Sequence, residues 1–170
     1  YVLLVQQQLE GQLTLLGWLI IANGLASSIS APFWGYLGDR SSRRVMIIAA
    51  SGAGLLGILT FAALHWQWSL IIGEFGLALV FLLLSIMHGG VRLGRKVYLV
   101  DMASAENRAA YVAVSNSVVG LMMLVGGLIG LLGDWLGAGA VLLVLGVTSL
   151  AAAAFIAGLD EVSEAQNPSG

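Results

Sequence analysis

A chain of 170 residues that is 59% hydrophobic and only 9% charged, with a mean hydropathy of +0.95, cannot keep a soluble domain's surface wet. Soluble domains carry about a quarter charged residues, so the natural solvent of this chain is lipid. The net charge of −2 leaves no footprint for nucleic acid, and the lack of cysteine excludes a disulfide framework, a thiolate zinc site and a cysteine nucleophile.

Taken in chain order, Tyr1 to Leu9 reads as the tail of an earlier element, so the chain is expected to be a piece of something longer. Uncharged runs then cover 11–38, 45–73, 75–91, 109–133 and 135–159. A spanning helix needs roughly 20 apolar residues. The second run is interrupted by "HWQW" at 65–68, too polar and aromatic for mid-bilayer. The expected elements are therefore five helices, at about 12–38, 45–64, 69–91, 109–133 and 138–158. The fold class is all-α: a polytopic membrane helix bundle, one domain over 1–160, with 161–170 as a polar, disordered cytoplasmic tail.

Charge orients the bundle. All seven basic residues fall in two connections: Arg40, Arg43 and Arg44 in the first, and Arg92, Arg95, Lys96 and Arg108 in the third. The intervening connections have none. Basic residues in short loops stay on the cytoplasmic side, and amphipathic rings favour the interfaces. The alternation predicts an outer start, a cytoplasmic C-terminus, and Trp66, Trp68 and Trp135 at the outer face. Helices in lipid associate where small residues let backbones approach, so Gly126 with Gly130, and Gly52, Gly54 and Gly57, are expected packing faces. "GAGLLG" at 52–57 also spells the dinucleotide pattern GxGxxG. No strand precedes it and it lies mid-bilayer, so it carries no nucleotide site.

Within "GYLGDRSSRR", Gly35, Leu37, Asp39, Arg40, Arg43 and Arg44 resemble the signature G-x-L-x-D-R-x-G-R-R/K. That signature marks the cytoplasmic turn between the second and third helices of each six-helix half in the major facilitator superfamily. Ser42 stands where the family usually has Gly. The stretch 94–120 is similar to the connection entering the next-to-last helix in many bacterial members, and "GLIGLLGDWLGAGAVLLVLG" and "GLDE" resemble the finish of that half. The resemblance implies helices 8 to 12 of a twelve-helix transporter; helices 2 to 6 of the other half share the topology and stay open as an alternative.

What the resemblance implies is secondary active transport of a small solute by alternating access, in a bacterial plasma (inner) membrane. The expected partners are the bilayer, the missing other half and a small-molecule substrate. No cofactor is expected, with a proton or other ion gradient open as driving force. The helix at 69–91 would line the cavity, 12–38 and 109–133 would face the other half, and 45–64 and 138–158 would lie outside. In the motif, Gly35, Asp39, Arg40, Arg43 and Arg44 would control conformation.

Glu74 lies about 9 Å below the outer interface, at 1.5 Å per residue beyond Trp68. Intramembrane carboxylates mark ion or substrate pathways, so Glu74 is a candidate coupling residue; a water-filled vestibule is the plainer explanation. Asn23, Ser27 and Ser30 recur at i, i+4 and i+7 as one polar stripe, for substrate or for bonding across helices. Asn116, between Ser115 and Ser117, is a further cavity candidate. Pro32 is expected to loosen its helix. Arg95, Lys96, Asp101, Glu106 and Arg108 form a candidate cytoplasmic charge network, with Asp101 and Glu106 as partners for Arg43 or Arg44. No G-x-S-x-G or H-E-x-x-H occurs, so an intramembrane enzyme is not expected. A noncatalytic scaffold built from the same half is the other open reading.

Overall fold

The computed structural model describes residues 13–162, which are predominantly helical and contain no strand. Five helices follow in order: α1 (Leu13–Arg40), α2 (Ser42–His65), α3 (Ser69–Ile72), α4 (Glu74–Met102) and α5 (Arg108–Ala157). Segments Ser42–His65, Phe75–Met102, Arg108–Gly127 and Trp135–Ala157 are each long and apolar enough to cross a membrane, with mean hydropathies of 2.1, 1.8, 1.7 and 2.4. α1 runs for 28 residues, about 42 Å at 1.5 Å per residue, and continues through Pro32. The observed class is an all-helical membrane bundle.

Three departures from the sequence pattern have local causes. The expected helix at 69–91 is broken at Gly73, whose ψ of 167° is extended, and α4 then runs on to Met102. Arg92, Arg95 and Lys96 thus stand on a helix rather than in a loop. Gly76 completes the break: a Cβ there would run into the carbonyl oxygen of Leu70. At the other connection, 109–133 and 138–158 are joined through a single non-helical residue, Gly137, with φ 81° and ψ 155°. Only glycine enters that region without strain. Finally, the connection between α1 and α2 shrinks to Ser41 alone, so α2 begins at Ser42 rather than near 45.

α2 is the central element, and glycines set its spacing. On one side it meets the second arm of α5, where a Cβ at Gly54 would lie 2.8 Å from the Gly146 carbonyl and one at Gly57 would lie 3.1 Å from the Leu142 carbonyl. Ser149 donates across this seam to the Ala50 carbonyl at 2.8 Å. On its other side α2 meets α4, with Gly90 against Ala49 and Gly94 against Met46 and Ser42. Lipid offers no hydrophobic reward for helix association, so this backbone proximity and the hydrogen bond across it supply the attraction. Gly126 has nothing within 4 Å of a would-be Cβ, and packs nothing here; Gly130 falls among residues whose side chains lie outside the description.

The apolar core lies where α1, α2 and α4 converge: Trp34, Val45 and Ala49, ringed by Leu37, Ile86, Met87, Val91 and Leu93. The Trp34 indole Nε1 donates to the Ile86 carbonyl at 3.0 Å, so its one polar atom is satisfied. Hydroxyls in the helices are settled by the backbone one turn back, as with Thr60 to Leu56 and Ser85 to Phe81. The first arm of α5 is different. Met123 and Leu124 stand 72% and 76% exposed, on an arm whose apolar faces meet little among the described residues. The opposite end of the bundle carries an aromatic cluster, with Trp66 and Trp68 stacked 5.7 Å apart and His65 against Phe61 and Trp66.

Candidate functional site

The first site is the α1–α2 turn. Ser41 is the N-cap of α2: its Oγ accepts from the Arg44 amide at 3.1 Å, and its hydroxyl donates to the carboxylate of Glu161. Arg43 completes the arrangement. Its guanidinium donates to the Leu159 carbonyl at 2.6 Å, and its Nε lies 3.6 Å from Glu161 Oε2. Tyr98 on α4 donates to the Asp160 carbonyl at 3.1 Å. The segment Leu159–Glu161 therefore straps the C-terminal end of the chain onto the turn and onto α4.

Two features differ from the sequence pattern. The carboxylate found beside Arg43 is that of Glu161, which the sequence reading did not name, because the end of α5 returns to the turn. Glu161 is also not part of a loose tail; residues 163–170 lie outside the described residues. The physical reason is the N-terminus of α2. Arg43 and Arg44 sit in its first turn, where the helix dipole favours a negative group, and Glu161 provides one.

The other motif residues divide. Arg40 donates to the Tyr36 hydroxyl and lies 4.6 Å over that ring. Ser42 is fully buried and helical, beneath Gly94, so a small side chain rather than a left-handed backbone is what the position requires. Gly38 is the close contact to α4, with a would-be Cβ 3.2 Å from Leu93 Cδ2, whereas Gly35 meets nothing within 4 Å. Asp39 and Arg44 are exposed, and the Asp39 carboxylate has no partner among the described residues.

The second site is a cavity of about 250 Å³ between α1 and α4, lined by Ser27, Ser30, Trp34, Gly89, Arg92 and Lys96 among others. It joins Ser27 of the polar stripe to Lys96 of the expected charge network. Ser30 is buried, and its hydroxyl donates to the Ser27 carbonyl at 3.3 Å, within its own helix rather than across to another. Asn23 is half-buried higher on α1 and is not part of the lining.

The remaining candidates are dispersed. Glu74 is the first residue of α4, at the break, and its side chain lies outside the description. Asn116 is exposed on α5, while Arg95 reaches its neighbour Ser115 at 2.7 Å, tying α4 to α5 through a hydroxyl rather than a carboxylate. Asp101 ends α4 half-buried, and Glu106 and Arg108 are exposed beside the start of α5. Sequence reasoning missed Glu161 as the turn's anion and did not place Arg92 and Trp34 in a site. Arg92 and Lys96 had a readable signal, the i, i+4 spacing; Glu161 had none, since its contact is long-range.

No curated protein matches this chain, and neither does any solved structure. The family model described as Major Facilitator Superfamily matches residues 1–170, a span that takes in the described helical bundle and its charged turn. The chain belongs to the major facilitator superfamily.

Proposed function

We propose that this chain is the C-terminal half, helices 8 to 12, of a secondary active transporter that moves a small solute by alternating access. The chain is of the major facilitator type, and the observation that supports the finer reading is the first arm of α5, which among the described residues meets little beyond the Arg95–Ser115 contact. Val114, Val118, Leu121 and Met122 are exposed along an arm apolar enough to cross a membrane, while the rest of α5 packs tightly on α2. Such an arm at mid-bilayer is suited to a second six-helix unit, and two such units rocking about a midplane site are the basis of alternating access. In this reading α4 lines the cavity, α1 and the first arm of α5 face the other half, and the basic end is cytoplasmic in a bacterial inner membrane.

The test uses the full-length protein with single cysteines at Leu121 and at Arg92, probed from both sides with and without a proton gradient. Opposite changes in reactivity at the two positions support alternating access. Reactivity fixed at both, under every gradient tested, would instead mark a scaffold built from the same fold.

A further inference from the structure

The cavity between α1 and α4 is built from two facing stripes of equal spacing. Its α1 wall comes from residues 27, 30, 31 and 34, and its α4 wall from 89, 92, 93 and 96. Both sets fall at i, i+3, i+4 and i+7, one face of each helix. The two helices run in the same direction, so the inner parts of both stripes meet: Gly90 packs on Trp34, and a would-be Cβ at Gly89 lies 3.8 Å from Ser30 Oγ.

The chemistry of the lining is one-sided. Arg92 and Lys96 stand one turn apart on the same face, no carboxylate lines the cavity, and neither cation has an acidic partner among the described residues. Arg43, by contrast, has the Glu161 carboxylate beside it as an ionic partner. The Ser27 hydroxyl is uncommitted among the described residues, whereas those of Ser28 and Ser30 donate to backbone carbonyls. Trp34, its Nε1 already occupied, offers an apolar wall. The exposed Arg92 and Lys96, with the Ser27 hydroxyl, line one cavity beside an aromatic wall, a donor set with no carboxylate in its lining.

We propose that this cavity binds the oxyanion of a small anionic group, a phosphate or carboxylate, with Arg92 and Lys96 as its cationic clamp and Ser27 as a neutral donor. A guanidinium recognises such groups through paired N–H donors. The volume is below the roughly 300–1,000 Å³ of sites for drug-sized ligands, which suits a small anion or a headgroup. Two sources carry this chemistry: a free solute, and an anionic lipid, whose headgroups favour basic pockets between membrane helices.

Full-length protein in phosphatidylcholine nanodiscs is titrated calorimetrically with inorganic phosphate and with succinate. A second arm measures its thermal stability in phosphatidylcholine discs with and without phosphatidylglycerol. Saturable binding in the first arm assigns a solute oxyanion; stabilisation confined to phosphatidylglycerol assigns a headgroup. In either case Arg92→Gln/Lys96→Gln weakens the response at least about tenfold, the scale of losing a charged hydrogen bond, and Arg92→Lys keeps most of it. Gly89→Leu fills the cavity while leaving both charges, and also abolishes the response. Equal responses of the wild type and the double variant, an undiminished response in Gly89→Leu, or no response to any of the three probes overturns the proposal. Binding is read without a gradient, so a protein that binds and does not transport separates this inference from the transport reading.

Discussion

Glu161 and Arg43 lie far apart in the sequence and meet at the first turn of α2, with Arg43 Nε 3.6 Å from Glu161 Oε2. The same carboxylate takes the hydroxyl of the N-cap residue Ser41. It thus serves the helix N-terminus, the cap and the arginine together. Its second oxygen, Oε1, is buried with no hydrogen-bond partner, as is Arg43 Nε, so the pair is close but not saturated.

The first prediction concerns that pair. Glu161→Ala leaves Arg43 partly buried without its anion, at a cost of about 1–3 kcal/mol. Glu161→Gln keeps an acceptor for Ser41 and costs less. A double-mutant cycle with Arg43→Ala, read by thermal unfolding of the full-length protein in detergent, should give a coupling of roughly 0.5–3 kcal/mol. Coupling near zero would mean that the strap is held by the Leu159 and Asp160 carbonyls alone.

The seam of α2 with α5 gives the second. A methyl at Gly54 would press on the Gly146 carbonyl at 2.8 Å, and one at Gly146 on the Gly54 carbonyl at 3.0 Å. Both targets are backbone and cannot swing aside. Gly54→Ala and Gly146→Ala should each destabilise by about 1–3 kcal/mol through forced separation of the helices. Gly139→Ala, on the same arm of α5, would meet Phe61 at an ordinary 3.6 Å and should be near neutral. Equal loss in all three would point to backbone flexibility rather than contact as the function of these glycines.

How far the sequence carried this architecture depends on the range of the interaction. Uncharged runs report which segments leave water, a local property, so the helices could be read from them. The Gly52–Gly57 cluster was legible because small residues on a lipid-embedded helix have few other uses. Arg43 was legible as important but not its partner: Asp101 and Glu106 are nearer in sequence, and only the return of α5 brings Glu161 to the turn. The break at Gly73 falls where Glu74 divides two uncharged runs, but one charge inside an apolar stretch reads equally well as an intramembrane carboxylate within a continuous helix. Trp34 carried no signal of its own in the sequence; it is 2% exposed, with Gly90 leaving space for its ring.

The third prediction is the orientation. In full-length protein without other cysteines, cysteine at Gln67 or Leu136 should react with an impermeant thiol reagent in intact cells, since both positions are exposed at the aromatic end. Cysteine at Ser104, exposed at the basic end, should react only after the membrane is opened. Ser41 is a poor reporter, being 4% exposed beneath the strap. Labelling of Ser104 from outside would invert the topology.

Glu74 supplies the fourth, motivated by its place as the first residue of α4 beyond a break in the helix. If it carries the coupling proton, Glu74→Gln should abolish gradient-driven accumulation by the full-length protein while exchange of internal for external substrate continues. Uptake with unchanged rate and pH dependence would remove Glu74 from the mechanism.

Asp39 is the last, and its position in α1 is the reason. It stands in the final turn, where the helix dipole disfavours a negative charge by about 0.3–1 kcal/mol, and no residue of the described chain pairs with it. Stability of this unit therefore does not explain the charge. Gly35, one turn earlier, has open space where a Cβ would be, so the same face of α1 is bare beside the carboxylate. The resemblance to the family signature implies that Asp39 meets the N-terminus of a helix in the other half and closes the cytoplasmic side in the outward-facing state, and we propose that role for it here. A cap of that kind is worth about 0.3–2 kcal/mol, enough to change a two-state ratio several-fold. Asp39→Asn should leave the melting temperature unchanged or slightly raised, because it removes an unfavourable charge from α1. Transport should slow, and a cysteine at Arg92 should become more reactive from the cytoplasmic side as the inward-facing state gains population. A fall in melting temperature with unchanged Arg92 accessibility would instead make Asp39 a structural residue of its own helix end.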